Sequence, residues 1–269
     1  MHRSPAPLTA LAVALFVMPC GVLAAQVQGF SYAPGTATYR MVVRSTGTSE
    51  ATGVKRELGM NAQELVTLVV TPHSLDTLAL TIRLDSASVS SPAVGAIDPS
   101  PAIGMKVSAM LSPQGRIYSK QLPDMSGREA FVPVANEMAR FLPIVPAELH
   151  TGLVWSDTIT EPVTQMGVEI KQTRITDYRV AGDTSFAGER AWRIDRVARV
   201  TLSGAGSAMG TPLTFDGTAT GSGMLFISHA GRYLGADLTD EVKSRVSIAS
   251  LGREIVGSQT QVTQITLLR

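Results

Sequence analysis

The chain has 269 residues, of which 44% are hydrophobic and 17% charged, and its 23 Lys and Arg residues nearly balance 22 Asp and Glu residues. This balance, with mixed signs along the chain, favours neither nucleic acid nor an anionic membrane as a partner. Cys20 is the only cysteine. It falls within the predicted export signal described next, so the processed protein would have no thiol for a disulfide, a metal site or a nucleophile.

Residues 1–25 have the pattern of a secretory signal peptide. Arg3 provides the positive start, residues 8–18 form an apolar run, and small residues allow cleavage after Ala24 or Ala25. The run is shorter than the roughly 20 residues that span a bilayer. Arg outnumbers Lys, as coding in GC-rich bacterial genomes favours. We therefore expect a bacterial protein that is periplasmic or secreted, with no transmembrane span after cleavage.

Two other fates of this N-terminus stay open. An uncleaved anchor would use residues 6–25, although Pro19 and Gly21 interrupt that stretch. Lipidation at Cys20 would make the chain a lipoprotein, although such signals usually place a small residue, rather than Pro19, just before the cysteine. The sequence favours cleavage over both alternatives.

Alternation of apolar and polar residues is the main structural signal. In residues 77–85 every second position is apolar, from Leu78 to Leu84, which predicts a strand with one buried face. Residues 190–202 repeat this pattern. Further strands are predicted at residues 38–45, 54–71, 106–111, 116–122, 153–160, 168–180, 211–227, 232–248 and 254–267.

Two stretches, residues 109–122 and 223–238, resemble each other. Each runs from a short apolar strand through a Gly-Arg turn into a second strand, and a long alternating strand precedes each of them. Small residues without a clear period, predicted as loops, occupy residues 86–104 in the first half and 203–212 in the second. These parallels predict a chain built from two similar halves.

One segment departs from the β pattern. Residues 127–142 have apolar side chains at helical spacing, and Pro143 and Pro146 end the pattern. This predicts an amphipathic helix that either fills the core or acts as a movable lid over a cavity. We expect an all-β fold: a large curved antiparallel sheet or half-barrel from two similar halves, with the helix packed on the concave side. The predicted units are the first β-rich half at 26–126, the connecting helix at 127–146 and the second β-rich half at 147–269.

Arg196 is a charged residue on the apolar face of a predicted strand. Trp192 and Ile194 share that face. A buried arginine needs a carboxylate or a ligand as its partner. Two interpretations stay open: a register slip or bulge turns the side chain outward, or the side chain anchors an acidic head group inside an apolar cavity. The tryptophan at position 155 is expected to pack near the predicted helix.

The sequence carries no motif for catalysis or metal binding. His73, His150 and His229 do not pair at helical spacing, as a local zinc site would require. A Gly-x-Ser-x-Gly elbow does not occur. We expect no enzyme activity, no cofactor, and no assignable catalytic, cofactor-binding or metal site, and the ligand-binding residues stay unknown. Carboxylates that a folded chain could bring together across a cleft are Asp157, Glu161, Glu169, Asp195, Asp237 and Asp240.

With this inferred architecture, the chain resembles the periplasmic lipoprotein-carrier (LolA-like) class of half-barrel proteins. The resemblance lies in architecture rather than in a shared motif, so it carries over no functional residue. It implies binding of an acyl chain or another lipophilic molecule between sheet and helix. We therefore expect an exported, non-enzymatic envelope protein that binds a lipophilic ligand. The alternatives are an accessory subunit that docks on an envelope complex, and a hydrolase with a dispersed motif.

Overall fold

The computed structural model of the chain describes residues 29–92, 95–124, 134–135, 138–165, 168–208 and 210–268. The predicted export signal, residues 1–25, lies outside the described residues. Within them, helices are too short or too polar for any to cross a membrane.

Twelve strands make up one antiparallel sheet. They are β1 (Gly35–Ala51), β2 (Val54–Ser74), β3 (Thr77–Ser91), β4 (Gly95–Ile97), β5 (Lys106–Leu111), β6 (Ile117–Gln121), β7 (Val154–Gln165), β8 (Val168–Phe186), β9 (Glu189–Ala208), β10 (Thr211–Ser228), β11 (Tyr233–Ile248) and β12 (Arg253–Leu268). Short 3₁₀ turns occupy Ser100–Ala102 and Ala249–Leu251. Every strand predicted from alternation is present, most of them longer than predicted, and β4 is an addition.

The strand order across the sheet is β6-β5-β3-β2-β1-β12-β11-β10-β9-β8-β7, with β4 paired to β3. Most neighbours in this order are also neighbours in the chain, so the sheet consists of two meanders. β1 and β12 join the meanders along a register that runs from Thr38 opposite Leu268 to Ala51 opposite Ile255. The first and last strands therefore pair with each other in the middle of the sheet.

The predicted buried faces are confirmed, whereas the two predicted loops are wrong in large part. Leu80 on β3 is 2% exposed and Ile194 on β9 is 0% exposed. Strand β3 continues into the first predicted loop, and β9 and β10 run through the second to a tight turn. The small residues there allow neighbouring strands to lie close together. A Cβ on Gly204 would lie 2.5 Å from the carbonyl oxygen of Glu169 on the neighbouring strand.

The sheet curves until its two edge strands face each other. β6 and β7 lie at opposite ends of the strand order, yet Lys120 Nζ on β6 is 3.9 Å from Glu161 Oε2 on β7. Arg140, from the segment that connects these strands, also pairs with Glu161. The sheet is thus an open, half-barrel-like structure whose edges are bridged by side chains rather than by a backbone ladder. The side that it encloses is called the concave face below.

The chain between β6 and β7 packs on the concave face, but the predicted amphipathic helix is not evident in the described residues. Within residues 127–142, helical backbone is described only at 134–135 and at Met138. The N–H of Phe141 donates to the carbonyl of Met138 at 3.1 Å. This hydrogen bond between residues three apart ends the helical turn just before Pro143. Helical backbone is disfavoured at a residue that precedes proline. The described apolar side chains of the segment still enter the main core.

The two similar stretches form the same turn. In the first, the Ser112 hydroxyl accepts the N–H of the following arginine at 3.2 Å, and Gly115 has a φ of +89°. In the second, the Ser228 hydroxyl accepts the equivalent N–H at 2.9 Å, and Gly231 has a φ of +79°. The likeness seen in the sequence therefore extends to turn geometry, which only glycine adopts at low cost.

The N-terminal segment, residues 29–33, runs between these two turns. The N–H of Tyr32 donates to Pro113 O in the first turn at 2.8 Å, and the N–H of Ala33 donates to Gly231 O in the second at 3.0 Å. The Tyr32 hydroxyl donates to the carbonyl of Pro143 at 2.7 Å. Both turns therefore hold the start of the described chain against the core.

Replacing Gly231 with Ala should destabilise the protein by about 3 kcal/mol or more. The left-handed φ costs about 1–2 kcal/mol for a residue with a Cβ, and this Cβ would also overlap the carbonyl oxygen of Ser31. The matched control is Gly53→Ala, since Gly53 has a φ of +77° but open space around it. Urea unfolding of the three proteins measures the difference. Equal losses in both variants would show that the turn does not clamp residues 29–33.

Replacing Leu80 or Ile194 with Asp should lower the free energy of unfolding by about 3 kcal/mol or more, because each change buries an unpaired charge. Thr201→Asp is the control, since Thr201 is exposed on the same strand as Ile194. Thermal melting monitored by circular dichroism measures the effect. A variant at either buried position that melts within a degree or two of the parent would contradict the assigned inward faces.

Candidate functional site

The concave face divides into three levels along the strands. At the first level, the segment between β6 and β7 packs on the sheet through an aromatic cluster. The rings of Tyr39 and Phe141 lie 4.9 Å apart edge to face, and those of Phe141 and Tyr233 lie 5.6 Å apart. All three side chains are buried. This level is a covered, filled core.

The second level carries a polar row of direct cross-strand partners. The strand register places Arg196 opposite Tyr178 on one side and opposite Gly223 on the other, without a bulge at this point. Arg196 therefore keeps the orientation of Ile194, and its side chain is 10% exposed. The register slip considered for Arg196 is wrong. The polar row itself is the next set of cross-strand partners, two residues farther along the strands. It consists of Ser45, Gln261, Asp240, Gly221, Ala198, Thr176 and Asp157.

Arg196 has a carboxylate partner within the described residues. Its Nη1 donates to Asp240 Oδ1 at 3.4 Å. Gly221 makes room for this contact, since a Cβ there would overlap Asp240 Oδ1. Burial raises the pKa of Tyr178 and of Tyr233, and the positive charge of Arg196 opposes both rises. The guanidinium therefore lies near two phenols that stay neutral at physiological pH.

The third level is an apolar row that crosses eight strands. Each member is the direct cross-strand partner of the next, and Gly204 fills the β9 position. Ile170 on β8 is 0% exposed, whereas Val54 at the β2 end of the row is 57% exposed. The row is thus covered at β8 and open at the β1–β2 hairpin. Its members from β2 to β7 are Val54, Ala51, Ile255, Val246, Phe215, Gly204, Ile170 and Val163.

Small and apolar residues connect the polar row to the apolar row along β9 and β10. On β9 they are Ala198, Val200 and Leu202, and on β10 they are Gly221, Ala219 and Gly217. At about 3.3 Å per residue, the six steps along the strand from Arg196 to Leu202 span about 20 Å. We call this strip the track. It gives the concave face a narrow apolar path that begins at a charged group.

A groove of about 400 Å³ lies where the two edges of the sheet meet. Tyr118 and Arg116 line one wall, Trp155 and Asp157 line the other, and residues 144–147 form the floor. Trp155 Nε1 donates to the carbonyl of Ile144 at 3.1 Å, and its ring stacks on Tyr178 at 4.9 Å. As predicted, Trp155 packs beside the connecting segment.

The structure does not gather the other candidate residues into one centre. His229 Nε2 lies 2.8 Å from Asp183 Oδ1 on the surface, and His150 contacts the neighbouring backbone. Asp195 pairs with Arg193 at 3.5 Å in an exposed position, as expected for a solvated strand face. Across the described part of the chain, His, Cys, Asp and Glu side chains form no group that could hold a metal ion.

Two carboxylates face inward: Asp240, one of the candidate cleft carboxylates but not assigned to a partner, and Glu64, which sequence reasoning missed. Asp240 shares the parity of Leu238 and Val242 on β11, and Glu64 shares that of Val66 on β2. The same alternation that singled out Arg196 could therefore have found both. The inward orientation of both was missed because charged residues were assigned to the solvated face by default.

Comparison with protein-family models and with curated protein sequences finds no match to this chain.

Replacing Glu64 with Gln should stabilise the protein at neutral pH. Burial raises the pKa of Glu64, and its Oε2 atom is buried without a hydrogen bond to any of the described residues. The folded state therefore favours the protonated form, so the stability of the parent falls as the pH rises through the folded-state pKa. Glu64→Gln should melt above the parent at pH 8, by roughly 2–4 °C for each kcal/mol gained.

This advantage should shrink towards pH 4, where the parent carboxyl is protonated. Glu57→Gln on the same strand is the control, since Glu57 is exposed. A Glu64→Gln advantage that is the same at pH 4 and pH 8 would contradict the assignment.

Proposed function

We propose that this protein is an exported, non-enzymatic bacterial envelope protein that binds a lipophilic ligand on the concave face of its sheet. The observation that carries the proposal is the apolar row. The hydrophobic cluster around the apolar row consists of sheet residues. The cluster at the first level also includes residues of the connecting segment, which covers the sheet there. An apolar surface left partly open inside a curved sheet is where a lipophilic molecule gains most from leaving water.

The site for this ligand differs from the one that the sequence suggested. The space between the sheet and the connecting segment is packed with buried side chains, among them Met138, Phe141 and Leu142. The track and the apolar row lie farther along the strands. Export and a periplasmic or secreted location rest on the signal pattern of residues 1–25.

Native mass spectrometry of the protein purified from a bacterial periplasm, before and after organic extraction, tests the proposal. We expect a bound, extractable mass of lipid size. Val54→Asp should reduce the bound fraction several-fold, because it places a charge on the open end of the apolar row. Val256→Asp is the matched control, since Val256 is exposed beside Ile255 but has the opposite strand parity. A clean apo mass in every preparation would contradict lipid binding.

The groove between the edge strands favours a second candidate function, docking on an envelope complex. β7 is a long edge strand, and in the described part of the chain no strand pairs with its outer backbone groups. Tyr118 and Val154 are exposed beside the groove. The fitting occupant is an extended segment of an envelope protein that adds to β7. A clean apo mass would make this candidate the leading one.

A further inference from the structure

We infer that the ligand is a single-chain amphiphile with an anionic head group, a carboxylate or a phosphate, whose head binds Arg196 and whose chain lies along the track. This inference rests on the proposed function and adds the ligand class and the binding residues. Arg196 stands at the start of the track, and the apolar row stands at its far end.

The head-group end has the chemistry that anion binding requires. Within the described residues, the guanidinium of Arg196 makes one hydrogen bond, the 3.4 Å contact with Asp240, at a side chain that is 10% exposed. A guanidinium has five donors in a planar fork that matches a carboxylate or a phosphate in two parallel bonds. The nearby phenols of Tyr178 and Tyr233 are neutral, so they add no negative charge to repel the ligand.

The width of the track indicates one chain. Beside Leu202 and Gly217, the cross-strand neighbours are the polar residues Gln172 and Ser244. The apolar strip is therefore two strands wide at this level, about 10 Å at the usual spacing of 4.7–4.9 Å between strands. Its length of about 20 Å from Arg196 to Leu202 suits a long acyl chain.

Halfway along, beside Ala219 and Val200, the cross-strand neighbours are the apolar Val242 and the charged Arg174, so the strip is wider on one side there. Closer to the head group it is two strands wide again. Gly221 and Ala198 lie between Asp240 and Thr176 in the polar row. The Asp240 carboxylate lies over Gly221 beside Arg196, so the head of the ligand reaches this level by displacing that carboxylate. A two-chain lipid would have to place its second chain on those polar neighbours, at a desolvation cost.

Asp240 holds the position that the anionic head would take. Without ligand it neutralises Arg196, which is the partner a nearly buried arginine requires. An incoming anion competes with Asp240 for the same guanidinium. Removing the Asp240 charge should therefore tighten the binding of anionic ligands and leave neutral ligands almost unaffected.

Displacement of Nile red from the mature protein measures this selectivity, with palmitate, dodecyl phosphate and the neutral 1-hexadecanol as competitors. Arg196→Met should weaken palmitate or dodecyl phosphate by about tenfold or more, as loss of a charge-assisted bond worth roughly 1.5–3 kcal/mol predicts. It should change 1-hexadecanol by less than about twofold. The anion that loses more affinity in this variant identifies whether a carboxylate or a phosphate is the natural head.

Two further variants distinguish a loss of ligand binding from a loss of folding. Arg199→Met is the matched control, because Arg199 lies on the same strand, faces outward and pairs with Asp177 at 2.5 Å. It should leave all affinities unchanged. Asp240→Asn keeps Arg196 and should tighten anion binding about threefold or more. Thermal melting of each variant shows whether it is folded.

The outcomes separate this inference from the proposed function. If the parent binds 1-hexadecanol and palmitate equally, and neither Arg196→Met nor Asp240→Asn changes that ratio, the head-group assignment is overturned while lipid binding stands. If the parent binds neither Nile red nor any competitor, the proposed function fails as well. Selective loss of the anions in Arg196→Met, with gain in Asp240→Asn, supports the inference.

Discussion

Burial of the aromatic cluster at Tyr39, Phe141 and Tyr233 is the interaction on which the rest of the structure depends. These rings come from β1, the connecting segment and β11, so one cluster ties together both meanders and the chain between them. The Tyr39 hydroxyl also donates to the carbonyl of Tyr233 at 2.7 Å. With no disulfide available, such packing must supply the stability of the fold.

Curvature of the sheet follows from covering this core. A flat sheet of this width could not bring β6 and β7 together, yet Lys120 on β6 and Arg140 of the connecting segment both pair with Glu161 on β7. Close strand approach at Gly204 and Gly223, where a Cβ would meet backbone atoms of the next strand, permits the coiling. Ile170 on β8 is buried and Val54 on β2 is exposed, so the apolar row is asymmetric.

The long strands separate two tasks. Their first level is a packed core that holds the chain together, and their far level is an apolar surface that the sheet itself only partly covers. Between them lies a polar row with an ion pair between Arg196, whose side chain is 10% exposed, and Asp240, whose side chain is 29% exposed. Such a pair contributes little net stability, because the desolvation of both charges offsets their attraction. In the function that we propose, the pair recognises the head group of the ligand.

The amino-acid sequence by itself determined the fold class, the strand positions and the inward faces, because alternation with a period of two depends only on which side of a strand is buried. Leu80 and Ile194 were placed on the correct face in this way, whereas for Arg196 the alternation left open whether a slip or bulge turns the side chain outward. The order of the strands, the meeting of β6 with β7 and the partner of Arg196 depended on the tertiary structure. These are contacts between residues far apart in the chain, such as Arg196 and Asp240, and no local pattern encodes them. The connecting segment shows the same limit: its apolar spacing is helical, but the predicted amphipathic helix is not evident in the described residues, where helical backbone is present at 134–135 and at Met138.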